Sequence, residues 1–276
     1  EHARDPGSCP FVDWQDAFYP APMAGLADRS SSGGWSIWTA LIPPGGGLPG
    51  DPGRSPQKWT IADYVLRSIS LVSSLLERVA APQGSSDNGN GPQASLLEGS
   101  PDTIMRNMMR LVQQLGPLAS LSAVIEATRL LQTILGMLPA FPFDRVQIFY
   151  EAIEKAARAQ LKMAIGTDDE LRRVWEMVDI LLAVVRGSLR EGLLFAPEGF
   201  DAIDHHDCRT WLRNNRASEE SVNGPFVRGL HDLALAYVDG EPGRMGFAAG
   251  EGLRGSCRAF FNYRGSFFWK MRAGMG

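Results

Sequence analysis

The chain has 276 residues, of which 44% are hydrophobic, and its formal net charge at neutral pH is -4. A chain of this size can bury about three quarters of the surface that it exposes when unfolded, so the composition predicts a globular protein and excludes a disordered one. Positive and negative residues are interleaved without a basic stripe, and we therefore expect no nucleic-acid partner.

The N-terminal segment, residues 1–58, is rich in proline, glycine and aromatic residues. Within it, Gly34-Trp-Ser-Ile-Trp-Thr-Ala-Leu-Ile42 lies between turn-forming residues and is typical of a β-strand. A second strand is predicted around residues 24–27. The glycine cluster at residues 44–50 is interrupted by prolines and is interpreted as a loop, so it does not supply the Gly-x-Gly-x-x-Gly turn of a dinucleotide-binding domain.

A helical pattern begins at Thr60. Apolar residues recur at i, i+3 and i+4 spacing as far as Val79, behind a Thr60-x-x-Asp63 capping box, and they predict an amphipathic helix. The stretch that follows, residues 81–100, is polar and glycine-rich, and we expect it to form a flexible surface loop.

Further helices, four long and three short, are expected to complete a helical subdomain. Their apolar residues fall on single stripes, so each helix needs a partner to cover it. The last long helix follows a Thr167-x-x-Glu170 capping box. The expected helices span residues 103–115, 118–138, 143–165, 168–189, 207–215, 225–237 and 248–261.

The C-terminal segment, residues 263–276, is an aromatic, strand-like run that ends in a glycine-rich turn. Side chains alternate between the two faces of a strand, so Phe267, Trp269 and Met271 share one face, which is the more apolar of the two. We expect this strand, over residues 265–272, to pair within one sheet with the strand near the N-terminus.

Together these elements predict an α+β, mainly helical fold, in which a helical subdomain accompanies a small antiparallel sheet formed from N- and C-terminal segments. Residues 1–58 are expected to supply strands and loops of the sheet, and the strand at 34–42 is expected to share that sheet with 265–272. Residues 59–262 form the helical region, and residues 263–276 form the final strand and glycine turn.

The turn Ala273-Gly-Met-Gly276, directly after an aromatic strand, resembles the turn by which FAD-dependent oxidoreductases of the amine oxidase and phytoene desaturase superfamily return from the substrate domain to the flavin domain. The resemblance covers most of the chain. Because the chain also begins at Glu1 without a methionine, we expect an internal fragment of such an enzyme. The other motifs that carry the resemblance are Trp14-Gln-Asp-Ala-Phe18, Gly34-Trp-Ser-Ile-Trp38, Leu48-Pro-Gly-Asp-Pro52, Phe200-Asp-Ala-Ile-Asp-His205 and the stretch Pro225–Gly240.

The resemblance implies the substrate-binding part of an enzyme that oxidises or desaturates an apolar, isoprenoid- or carotenoid-like substrate, or an amine, by hydride transfer to FAD. Residues 59–262 would then be a substrate-binding or cap region. The cofactor's Rossmann-type domain would lie largely in the missing part of the same polypeptide, because no Gly-x-Gly-x-x-Gly here lies between a strand and a helix with an acidic residue some twenty positions on. Catalytic residues are not identified. The resemblance implies substrate contacts from Trp35, Trp38, Phe267, Trp269 and Met271, and cofactor contacts from Gly274 and Gly276.

Two alternatives stay open at this point: a cofactor-free helical module that binds lipid or acts as a scaffold, and a flavoenzyme similar to hydroxysqualene dehydroxylase. The helix at 118–138 has a broad apolar face that would suit a bilayer surface, although burial in a helical core is favoured. The longest charge-free apolar run, residues 130–143, is too short to span a bilayer. We expect a cytoplasmic protein, with peripheral membrane association as an open alternative.

Polar clusters give weaker hypotheses. Asp204-His205-His206-Asp207 combines carboxylates and imidazoles, but no further histidine follows at i+3 or i+4, so no metal site is predicted.

Cys9, Cys208 and Cys257 are odd in number and far apart, which argues against disulfides and favours a reducing compartment. Cys257 and His231 lack a third, orienting group, so a buried free thiol is favoured over a nucleophilic pair.

Overall fold

The computed structural model describes residues 18–21, 23–29, 33–41, 60–80, 100–116, 119–138, 141–165, 168–258 and 268–271. The chain divides into two compact units. The first consists of Glu1–Gln57 with Gly255–Gly276, and the second of Lys58–Arg254. The predicted loop at 81–100 lies outside the described residues, except for Ser100 at its end.

The described residues of the first unit form four short strands. Strand β1 (Phe18–Ala21) pairs antiparallel with β4 (Phe268–Met271), and β2 (Met23–Arg29) pairs antiparallel with β3 (Trp35–Leu41). Segments from the two ends of the chain therefore form a small antiparallel sheet, and the rest of the described chain is largely helical. The prediction of an α+β, mainly helical fold is confirmed.

The expectation that the strands at 34–42 and 265–272 share a sheet is wrong. β3 pairs with β2, and β4 pairs with β1, in two separate two-stranded sheets. The reason is that β2 and β3 are joined by a short connection, so closing this hairpin costs far less chain entropy than pairing β3 with a strand more than 200 residues away.

Nine α-helices are described. Five are long: α1 (Ile61–Ala80), α2 (Pro101–Gln114), α3 (Leu121–Gly136), α4 (Phe143–Ile165) and α5 (Asp169–Arg190). Four are short: α6 (Cys208–Asn214), α7 (Glu219–Val222), α8 (Pro225–Ala234) and α9 (Ala249–Cys257). Every helix that the apolar spacing predicts is present, because that spacing is what allows a helix to bury one face.

The start of α1 is the capping box that the sequence predicts. The backbone N–H of Thr60 donates to Asp63 Oδ2 at 2.8 Å, and the N–H of Asp63 donates to Thr60 Oγ1 at 3.2 Å. The predicted box at Thr167-x-x-Glu170 is wrong by one residue. Asp168 is the N-cap of α5, and its Oδ1 accepts the N–H groups of Glu170 and Leu171 at 2.8 and 3.1 Å.

The core of the second unit lies among four helices. α1 packs against α3 and α5, and α4 also packs against α3 and α5, so each of the four has two neighbours within this group. The apolar face of α3 is buried in this core, which confirms the interpretation of that face as packing surface. The side chains that are almost fully buried include Leu76, Met108, Leu131, Ile134, Phe149, Tyr150, Ile153, Leu161, Trp175 and Leu189.

Candidate functional site

The hairpin of β2 and β3 exposes an apolar face. Trp35 and Ile37, two positions apart on β3, are each 73% exposed. Their partners in register on β2 are Arg29 and Ala27, which are also exposed. Alternate residues of paired strands share a face, so these four positions form one surface, which we call the Trp35 face.

Arg29 lies directly over the ring of Trp35. Its guanidinium carbon is 5.4 Å from the ring centroid, within the range of a cation–π contact. The register of the hairpin produces this contact, because Arg29 and Trp35 are opposite each other at its closed end. Sequence reasoning missed Arg29. The contact of Arg29 with Trp35 becomes visible only when the pairing of β2 with β3 is known. That pairing depends on the connection at 30–34.

The other predicted substrate contacts are distributed differently. Trp38 occupies a position of opposite parity to Trp35 on β3, where it is paired with Leu26, so the two tryptophans do not share a strand face. Trp269 and Met271 lie in β4, two residues apart, and pair with Pro20 and Phe18. Phe267, Gly274 and Gly276 lie outside the described residues. The substrate and cofactor roles of all seven residues stay predictions.

The acidic cluster at residues 204–207 caps helices. Asp207 is the N-cap of α6, where its Oδ1 accepts the N–H of Thr210 at 3.0 Å, and its Oδ2 accepts the N–H of Phe247 at 3.4 Å. Asp204 Oδ1 accepts the N–H of Glu251, in the first turn of α9, at 3.0 Å. Both carboxylates are therefore occupied by backbone donors, which is a structural role.

Removal of the α6 cap should weaken the second unit. We expect Asp207→Ala to lower the free energy of unfolding by about 1–2 kcal/mol, because α6 loses its N-cap and Phe247 loses an acceptor. Urea unfolding followed by circular dichroism measures the change. Glu198→Ala, in an exposed turn nearby in sequence, is the control and should leave the unfolding midpoint unchanged. Equal midpoints for all three proteins would contradict this role of Asp207.

His231 is a core residue of α8. It is 1% exposed, and its Nδ1 lies 2.8 Å from the carbonyl oxygen of Val227, to which it donates because a carbonyl can only accept. Its ring contacts Phe247 edge to face, with 5.7 Å between centroids. Asp232 is exposed and accepts the hydroxyl of Tyr237 instead. No carboxylate thus orients His231 through Nδ1, and a general-base role has no support.

The two described cysteines are buried free thiols. Burial raises the pKa of Cys208 and of Cys257 to about 12, and the neighbouring carboxylate of Asp207 adds to the shift at Cys208. The thiolate is the nucleophilic form, so neither group is reactive at neutral pH. The prediction of a buried free thiol at Cys257 is confirmed. Cys9 lies outside the described residues.

A buried ionic network joins α4 to α5. Glu154, 1% exposed, accepts Arg158 Nε at 3.1 Å and Arg186 Nη1 at 2.7 Å. Asp179, fully buried, forms an ion pair with Arg158 and accepts both the N–H and the hydroxyl of Ser218 at 2.8 Å. Its acids and bases pair with one another, so the network is interpreted as structural. No sequence motif revealed it.

Glu176 lies in a second buried pair. Arg173 Nη1 donates to both of its carboxylate oxygens, at 3.0 and 3.2 Å. Burial raises the pKa of Glu176, and the charge of Arg173 opposes that rise. A Cβ added at Gly224 would lie 3.0 Å from Glu176 Oε2, so the carboxylate leaves little room for a side chain there. The pair therefore sits in tightly packed surroundings.

Metal binding and membrane insertion gain no support from the part of the chain that the structure describes. No group of three or more His, Cys, Asp or Glu side chains there could hold a metal ion. None of the described helices combines the length and the apolar character needed to cross a bilayer.

The chain has no match among protein-family models, among curated proteins or among solved structures. The likeness to FAD-dependent oxidoreductases thus remains a resemblance of sequence motifs. Among the described surfaces, the Trp35 face has the side chains best suited to ligand binding, because it is apolar, exposed and carries one cation.

Proposed function

We propose that this chain is the substrate-binding part of an FAD-dependent oxidoreductase. In this proposal the complete polypeptide oxidises or desaturates a small apolar, isoprenoid- or carotenoid-like substrate, or an amine. The second unit is a helical substrate-binding or cap region, and the strands of the first unit supply substrate contacts.

The pairing of β1 with β4 is the observation that carries the proposal. Phe18 is opposite Met271, and Ala21 is opposite Phe268, so the chain before residue 18 and the chain after residue 271 emerge at the same end of one sheet. A segment whose two ends meet in one sheet can be connected to a neighbouring domain at a single place. Ala273-Gly-Met-Gly276, a sequence typical of a turn, comes soon after β4 along the chain, as the proposed return into a flavin domain requires.

The described residues do not by themselves suit FAD. Its pyrophosphate is usually held by a glycine-rich turn at the N-terminus of a helix that follows a strand, and no strand in the described ranges leads into such a turn and helix. We therefore assign the cofactor's phosphates to the FAD domain of the same polypeptide. When bound, FAD would accept a hydride, while this chain binds the substrate and excludes water.

The 276-residue chain and a longer polypeptide that contains it should differ in colour. We expect the 276-residue chain to be purified colourless, because its glycine cluster at residues 44–50 is interrupted by prolines and is interpreted as a loop. A longer polypeptide that contains the chain should retain flavin absorbance through dialysis. The measurement is the visible absorption spectrum of both proteins, together with flavin released on denaturation.

Two results would contradict the proposal. A longer polypeptide that carries no flavin would favour the alternative of a cofactor-free helical lipid-binding or scaffolding module. Stoichiometric flavin on the short chain would show that the cofactor site had been assigned to the wrong part. Reduction of the flavin by candidate hydrocarbons and amines, followed anaerobically, then separates the substrate classes, including the hydroxysqualene dehydroxylase-like alternative.

A further inference from the structure

The charges of the β2–β3 hairpin differ between its two faces. Arg29, Trp35 and Ile37 share the Trp35 face, and Ala27 and Gly25 continue it on β2. Asp28 and Ser36 are paired with each other at positions of opposite parity, so the acidic residue of β2 belongs to the other face. Among the described exposed side chains of the Trp35 face, Arg29 supplies the charge, and it is positive.

Arg29 is exposed, and its guanidinium carbon lies 5.4 Å from the centroid of the Trp35 ring. The N–H groups of a guanidinium form a planar fork that matches the two oxygens of a carboxylate. Trp35 and Ile37, each 73% exposed, extend an apolar surface from the same point. The face thus combines an anion-binding group with an adjoining hydrophobic strip.

We propose that the Trp35 face binds an amphipathic small molecule with one carboxylate and an apolar chain, the carboxylate on Arg29 and the chain along Trp35 and Ile37. This inference goes beyond the proposed function, because a ligand with a carboxylate is neither the hydrocarbon nor the amine named there. A cationic amine is disfavoured at this face, because like charges repel across a surface of low polarity.

Binding of three ligands that differ only in head group tests the proposal. Decanoate, 1-decanol and decyltrimethylammonium, all kept as monomers, are titrated into the full 276-residue chain by calorimetry. We expect decanoate to bind about fivefold or more tighter than the other two, which corresponds to one exposed charge-assisted contact. Equal affinities, or tighter binding of the cation, would overturn the proposal.

Variants then locate the contact. Arg29→Gln should lower the affinity for decanoate to that for 1-decanol and leave the affinity for 1-decanol unchanged. Trp35→Ala should lower the affinity for both ligands. Arg78→Gln, which removes an exposed arginine of α1, is the matched control and should leave decanoate unchanged. Equal losses from the two arginine variants would mean a general electrostatic effect and would overturn the assignment to Arg29. Far-ultraviolet circular dichroism checks that each variant is folded.

A bilayer surface is the competing occupant. The test is sedimentation of the chain with phosphatidylserine vesicles. If the chain binds the vesicles but none of the monomeric ligands, the occupant of the face is an anionic membrane and the proposal is overturned. All of these titrations are done without flavin. A negative result here therefore contradicts the ligand assignment, while a colourless longer polypeptide contradicts the proposed function alone.

Discussion

Replacement of Asp179 by alanine is expected to lower the free energy of unfolding by about 3–5 kcal/mol. Asp179 is fully buried, and it holds Arg158 as well as the N–H and hydroxyl groups of Ser218. Without the Asp179 carboxylate, the guanidinium of Arg158 loses one of its two anionic partners. The N–H and hydroxyl groups of Ser218 lose their acceptor. Urea unfolding monitored by circular dichroism measures the loss.

Two further variants make this result interpretable. Asp179→Asn keeps the shape and an acceptor for Ser218 but removes the charge opposite Arg158, so its loss should be intermediate. Glu241→Ala breaks an ion pair with Arg244 in which both side chains are more than half exposed, and it should change stability by no more than about 1 kcal/mol. If Asp179→Ala unfolds at the wild-type midpoint, the buried network contributes nothing to stability.

The second large effect is expected at Gly187, in α5. A Cβ at this position would lie 2.2 and 2.4 Å from two atoms of the Trp211 indole, which is itself fully buried. Gly187→Ala should therefore destabilise the protein by about 1–3 kcal/mol, although alanine is the better helix former. Gly136→Ala, at the end of α3 with open space around it, should be neutral or slightly stabilising.

A double-mutant cycle identifies the source of the cost at Gly187. Phenylalanine lacks the outer indole atoms that a new methyl group would meet, so Gly187→Ala should cost less in a Trp211→Phe background. Trp211→Phe alone also loses the hydrogen bond from Nε1 to Glu191, at 2.9 Å, which the cycle subtracts. The same cost in both backgrounds would show that Trp211 is not the obstacle.

Helices were well predicted from the sequence because their signals are local. The spacing of apolar residues gave α4 its observed bounds, Phe143–Ile165, and the Thr60 capping box gave the start of α1. The error at Thr167 has a local cause too. Asp168 also carries an N-capping side chain, and two adjacent candidates cannot be ranked by residue type alone.

Pairings between distant residues could not be predicted in the same way. The partner of β4 and the acids that hold Arg158 depend on how elements assemble, and one sequence carries no direct record of that. The Trp35 face shows the same limit. Trp35 and its strand were recognised, but Arg29 became visible only with the hairpin register. The opposite faces of Trp35 and Trp38, in contrast, follow from their spacing along one strand.

The capping of α9 by a distant turn bears on the order of folding. α9 has nine residues, three of them glycine, and is too short and too glycine-rich to persist alone. Its first N–H groups are bound by His206 O and by Asp204, 47 residues before Glu251. At Gly250, an added Cβ would lie 2.0 Å from the carbonyl oxygen of Phe200. We therefore expect this helix to become stable only once the turn at 204–207 has folded.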